Sequence, residues 1–177
     1  MINERRLVDL FLKYVQIDSE SRKEENFREV LEQDLRELGM EVTADEAGNL
    51  FFALDGDEKA EPLLFTAHMD TVVPGQSIRP VMENGVNKSG GDTVLGGDDK
   101  SGIAAIVEAI RVMKEEKIPH RRVEVLFTVE EEIGLNGSRA ADLGQVRSRY
   151  SIAMDGCGPM DEIVVNGAGQ ANVEIEI

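Results

Sequence analysis

The chain has 177 residues, with 35 acidic against 19 basic side chains and a formal net charge of −16. That length suffices for one compact domain with a sizeable core, and the charge excludes the basic stripe that a nucleic-acid surface needs. With 5% aromatics, no Trp and one cysteine, Cys157, the sequence offers neither an aromatic platform for stacking bases nor an intramolecular disulfide.

No N-terminal apolar segment has the form of a signal peptide, and no apolar run is long enough to span a bilayer. The expectation is a soluble, cytoplasmic protein with no membrane or nucleic-acid partner. Residues 3–16 are helical by pattern, with Leu7, Leu10, Phe11, Tyr14 and Val15 at helical spacing. Asp18, Ser19 and Ser21 form a polar turn. A second amphipathic helix covers about 24–39, with Phe27, Val30, Leu31, Leu35 and Leu38 as its stripe and Gly39 as its stop. Glu41 to Thr43 and Asn49 to Leu54 read as a strand pair.

Pro62 to Asp70, PLLFTAHMD, reads as a buried strand with a polar tip. In open α/β sheets, chemistry collects at the carboxyl ends of strands. Alternation puts His68 and Asp70 on one face. That spacing suits either a metal-bound imidazole oriented by a carboxylate or a structural histidine with a satisfied partner. Residues 71–97 are rich in Gly, Pro and short strand-like pieces. A helix follows at Ile103 to Met113, then a strand at Val123 to Thr128 and a short helix at Asn136 to Leu143. Ser151 to Met154 is a further strand, and Ile163 to Val165 and Val173 to Ile177 are late strands. This order predicts an α/β fold, with a mostly parallel, mixed central sheet layered by helices.

The stretch Leu95 to Gly102, LGGDDKSG, is not a phosphate-binding loop, which needs Gly directly before Lys. Asp98, Asp99 and Ser101 suit helix capping. Equally, a carboxylate such as Asp98 can bridge two cations about 3.5–4 Å apart. Glu130, Glu131 and Glu132 follow an apolar strand. They suit a solvated face, or a metal ligand beside a free general base. Asp155 ends the next strand, so His68, Asp98, Glu132 and Asp155 offer N and O donors of the kind zinc accepts.

HMDTV, GGDDKSG, FTVEEEIG and MDG, in this order, resemble the metal-site motifs of the dinuclear zinc exopeptidases. That family includes peptidase T, the carboxypeptidase G type enzymes and the aminoacylases, and the detail looks most like the peptidase T-like branch. The resemblance implies a phosphorylase/hydrolase-like catalytic domain. It makes His68 and Asp155 ligands of one zinc, Asp98 the bridge and Glu132 a ligand of the second zinc. It makes Asp70 the residue that orients His68, and Glu131 the base toward the attacking water. It also implies a small peptide substrate, a cis peptide at Asp98–Asp99 and a homodimer in the full-length form.

The pattern departs from the family in one respect. The family's second histidine ligand lies downstream of an inserted lid, and the other histidine here, His120, reads as a surface residue. On this reading residues 1–166 are the amino-terminal part of the catalytic domain, truncated, and 167–177 begin a lid or dimerisation domain. The expected function is a tripeptide aminopeptidase-like hydrolase, impaired in this short chain. The alternatives are a non-catalytic metal-binding or interaction fragment and an amidohydrolase of N-acyl amino acids.

Overall fold

The computed structural model describes residues 2–156, 158–159 and 162–166. Helix α1 covers Glu4–Val15, and its N-cap Asn3 accepts a hydrogen bond from the Arg6 amide at 3.1 Å. Helix α2 covers Glu25–Glu37. Gly39 ends it with φ +71°; its N–H donates to Arg36 O and that of Met40 to Leu35 O. This is the paired closure that favours a residue without Cβ.

Strands β1 (Thr43–Ala44), β2 (Leu50–Leu54) and β3 (Leu63–His68) follow, then a hairpin of β4 (Pro80–Glu83) and β5 (Val86–Ser89). Its tip is Asn84–Gly85, both at positive φ, the requirement of a tight two-residue turn. Helix α3 spans Gly97–Glu115, β6 Val123–Thr128, α4 Asn136–Ala140 and β7 Ser151–Ala153.

The main sheet has the order β1-β2-β6-β3-β7. Strands β6, β3 and β7 are parallel, whereas β2 runs antiparallel to both its neighbours, β1 and β6, so the sheet is mixed. Alternation along β2 and β6 sends Phe52, Val125 and Phe127 to the face covered by α1, α2 and α3. There they meet Tyr14, Phe27, Leu31, Leu35, Ile103 and Val107. Each such fully buried large side chain contributes about 1.5–3 kcal/mol. Phe51, Leu64 and Leu126 take the opposite face with Ala141 and Val146.

Two expectations change. The helix expected to reach Leu143 stops at Ala140, and a separate 3-10 turn covers Leu143–Gln145. Ile163–Val165 form no strand; they are 69–85% exposed and pair with no strand among the described residues. The strand expected at Val173 to Ile177 lies outside the described residues. No helix among the described residues is long and apolar enough to cross a membrane.

Candidate metal centre

Register builds the site. Strand β3 pairs with β6 from Leu63 opposite Val123 to His68 opposite Thr128, so the two strands finish at the same edge. The Met69 amide continues the ladder to Thr128 O at 2.8 Å. On the other side of β3, Thr66 lies opposite Ala153, so Asp155 comes level with His68 two residues later. The fourth segment is the start of α3. It is not helical at Asp98 and Asp99, and the Asp98–Asp99 peptide is cis, in line with the expectation from resemblance. Gly102, one turn on, permits close approach: a Cβ there would collide with the Asp99 carboxylate and stand 2.8 Å from Met154 Cβ.

His68 is 2% exposed and sits between two carboxylates. Its Nε2 lies 3.0 Å from Asp98 Oδ1. Its Nδ1 lies 3.3 Å from Asp70 Oδ1, at ion-pair distance without the alignment of a hydrogen bond. Asp70, fully buried, accepts from Ser21 Oγ at 2.7 Å, the Glu131 amide at 2.9 Å and the Glu132 amide at 3.1 Å.

Two donor groups converge on the histidine. Atoms of His68, Asp98 and Glu132 lie within 4.8 Å of one another, as do atoms of His68, Glu131 and Asp155. All five residues thus gather at one sheet edge. The grouping differs from the one the resemblance implies, which joins Asp155 to His68 and Asp98 and keeps Glu131 apart as a base. His120 is remote. It precedes β6, and six residues at 3.3 Å rise put it about 20 Å from the Glu131 end.

The charges are unbalanced. Burial disfavours an imidazolium, yet the Asp70 and Asp98 carboxylates outweigh it and raise His68 to about 10. Burial pushes Asp99 up to about 7; Asp155 and Asp98 add to this against relief from His68. Asp99 is 2% exposed and its Oδ2 has no hydrogen-bond partner. Glu132 and Asp155 are also raised, first by burial and then by neighbouring carboxylates against relief from His68. Burial works to raise Asp70 too, but His68, Ser21 and the two amides hold it below the usual range. Half-buried and exposed carboxylates that repel one another around a buried imidazole fit a divalent cation, and the N and O donor set suits zinc.

Sequence reasoning passed over two participants. The Ser21 hydroxyl holds Asp70, and the buried Glu24 accepts from the Glu130 amide at 3.0 Å. The polar turn at Asp18–Ser21 was the visible signal for the first; nothing local marks the second.

Known proteins share this arrangement of the chain. The uncharacterised protein YqjE of Bacillus subtilis (strain 168) is 44% identical over 185 residues, covering all of this chain and 50% of the relative. The crystal structure of aminopeptidase PepT from Bacillus cereus ATCC 10987 matches with a TM-score of 0.86 at 42% identity, over 89% of this chain and 44% of that one. That of a tripeptidase from Staphylococcus aureus subsp. aureus mu50 matches with a TM-score of 0.87 at 37% identity, over 89% and 45%. The chain spans about half the length of the curated relatives it matches. Residues 49–173 match the model of Peptidase family M28, and the chain belongs to that family.

Proposed function

We propose that this chain carries the metal centre of a zinc-dependent exopeptidase that cleaves short peptides, tripeptides among them. The observation that carries the reading is the convergence of Asp98, Glu131, Glu132 and Asp155 on the buried His68. The names of the similar structures, an aminopeptidase and a tripeptidase, support peptide as the substrate class.

In this reading His68, Asp98, Glu132 and Asp155 hold zinc. A bound zinc supplies Lewis-acid polarisation of the scissile carbonyl and acidifies a water. Asp70 holds the His68 ring in place through Nδ1, and is itself held by Ser21 and two amides. Glu131 takes the proton of the attacking water as the new C–O bond forms and then gives it to the leaving amine as the peptide C–N bond breaks. Its position, with a carboxylate oxygen within 4.8 Å of donor atoms of His68 and Asp155, supports this role.

The sequence has two histidines, and only His68 reaches the site. We therefore assign this chain by itself a low turnover, with full activity requiring the further length its relatives possess. Zinc content and tripeptide hydrolysis, measured on the same purified sample, test the reading. Stoichiometric zinc lost on substituting His68→Ala supports it; a chain that binds no zinc overturns it.

A further inference from the structure

The run Glu130–Glu132 has no helix or strand to hold it. Its Glu130 is in the left-handed region at φ +51°, which a residue with a Cβ adopts only when its surroundings enforce it. Those surroundings are two buried carboxylates, and three consecutive amides end on them. The Glu130 amide donates to Glu24 Oε1 at 3.0 Å, the Glu131 amide to Asp70 Oδ1 at 2.9 Å and the Glu132 amide to Asp70 Oδ2 at 3.1 Å. Asp70 Oδ2 in turn accepts from Ser21 Oγ at 2.7 Å. Ser21 and Glu24 both lie on the connection between α1 and α2, 49 residues from Asp70 and 106 from Glu130 respectively.

We propose that Ser21 and Glu24 are positioning residues for the metal centre. This rests on the functional reading above. From one loop they fix the backbone from which Glu131 and Glu132 diverge, Glu131 toward His68 and Asp155, Glu132 toward His68 and Asp98. Ser21 also holds the carboxylate that faces His68 Nδ1, so one hydroxyl sets the place of a ligand and of the base together.

The loop has its own anchors. The Ser21 amide donates to Thr71 O, the Thr71 amide to Ser19 O, and the Gly75 amide to Glu20 Oε1. These bonds survive loss of the Ser21 hydroxyl, so the side chain's role is separable from the loop's place.

The test uses the purified 177-residue chain and the variants Ser21→Ala, Ser21→Thr, Glu24→Ala and Glu24→Gln. Amide hydrogen exchange is read by NMR without metal, and the absorption spectrum and affinity of bound cobalt(II) are read separately. Ser21→Ala is expected to speed exchange at Glu131 and Glu132 about tenfold, leaving Val125 and Phe127 unchanged. It is expected to shift the cobalt spectrum and weaken cobalt binding about tenfold. Ser21→Thr, which keeps a hydroxyl, restores both. Glu24→Ala speeds exchange at Glu130, and Glu24→Gln, which keeps the acceptor, does so far less.

Unchanged exchange at Glu131 and Glu132 in Ser21→Ala overturns the proposal. So does equal loosening of Val125 and Phe127, which marks a general loss of stability, or failure of Ser21→Thr to rescue. A wild-type chain that binds no cobalt overturns the metal reading, while the exchange rates still decide the positioning.

Discussion

His68 Nε2 stands 3.0 Å from Asp98 Oδ1, across 30 residues of sequence. The distance follows from topology. Strand β3 ends at His68, the chain leaves through the β4–β5 hairpin, and it returns to the same sheet edge as α3 begins. The contact is a proton-mediated pair in a cluster with too much negative charge. A cation that displaces the proton relieves burial and repulsion together.

Zinc is therefore expected to stabilise the fold. At a free concentration about 100 times Kd, binding to the native state alone adds about 2.7 kcal/mol. For a chain of this size that raises Tm by roughly 5–10 °C. Thermal melts with zinc and with chelator measure it. The shift should vanish in His68→Ala, which removes the residue common to both donor groups.

Occupancy should be unequal. Both donor groups draw on His68, and one imidazole nitrogen serves one cation at a time. The second cation is left with carboxylates, which suit zinc less well than a set containing imidazole. Calorimetric titration should show one tight zinc and a markedly weaker second. Two sites of equal affinity would contradict the shared histidine.

The parts of this site that were legible in the sequence share a cause. His68, Glu131, Glu132 and Asp155 each follow an apolar strand, and parallel pairing brings strand ends together whatever the intervening loops do. Asp98 was legible through its motif rather than through physics. Ser21 was marked only as part of a polar turn and Glu24 not at all, because hydrogen bonds over 49 and 106 residues leave no local sign of their partners. Nor does the sequence mark where the Lys100 side chain goes, at the start of α3. It is fully buried, with Nζ donating to Ile17 O at 2.6 Å and lying 4.7 Å from the Phe27 ring centroid. Ile163–Val165 misled in the opposite sense. Strand propensity without a neighbouring strand gives no strand. The Asn84–Gly85 turn was a missed local signal, since the dipeptide between short apolar runs marks a hairpin.

Away from the site, Glu124 gives a pH-dependent prediction. It is fully buried on β6 and accepts from Arg122 Nε at 2.8 Å, from the Arg147 and Ser148 amides at 2.9 Å, and from Ser148 Oγ at 2.7 Å. Burial works to raise its carboxyl, but these donors prevail and hold it below 4.5. A pKa lower folded than unfolded contributes stability that is complete above the unfolded value. It is lost as pH falls through the folded one. Glu124→Ala removes the Nε partner of Arg122, which keeps Asp55, and strands the Arg147 and Ser148 amides, so it should cost about 1–3 kcal/mol at neutral pH. In urea titrations the gap to wild type should hold from pH 7 to 6 and narrow below about pH 4. A gap independent of pH would mean that packing, not charge, is what Glu124 supplies.

The sharpest prediction concerns Glu131. The functional reading makes it the base, although its carboxylate lies in a donor group with His68 and Asp155 and so stands where a ligand also stands. The two roles respond differently to Glu131→Gln. The amide keeps an oxygen of similar reach, so a site held by His68, Asp98, Glu132 and Asp155 loses little affinity. It has no lone pair basic enough to take a proton from water, so hydrolysis should fall by about 100- to 10,000-fold, the usual worth of a positioned general base. Whatever tripeptide cleavage the chain shows with saturating zinc should thus drop to background, with zinc affinity changed less than about tenfold. Calorimetry and a cleavage assay on one preparation read both numbers. If affinity collapses along with activity, Glu131 is a ligand and the base lies elsewhere. If cleavage survives with zinc still bound, Glu131 takes no proton and Glu132 is the carboxylate to change next.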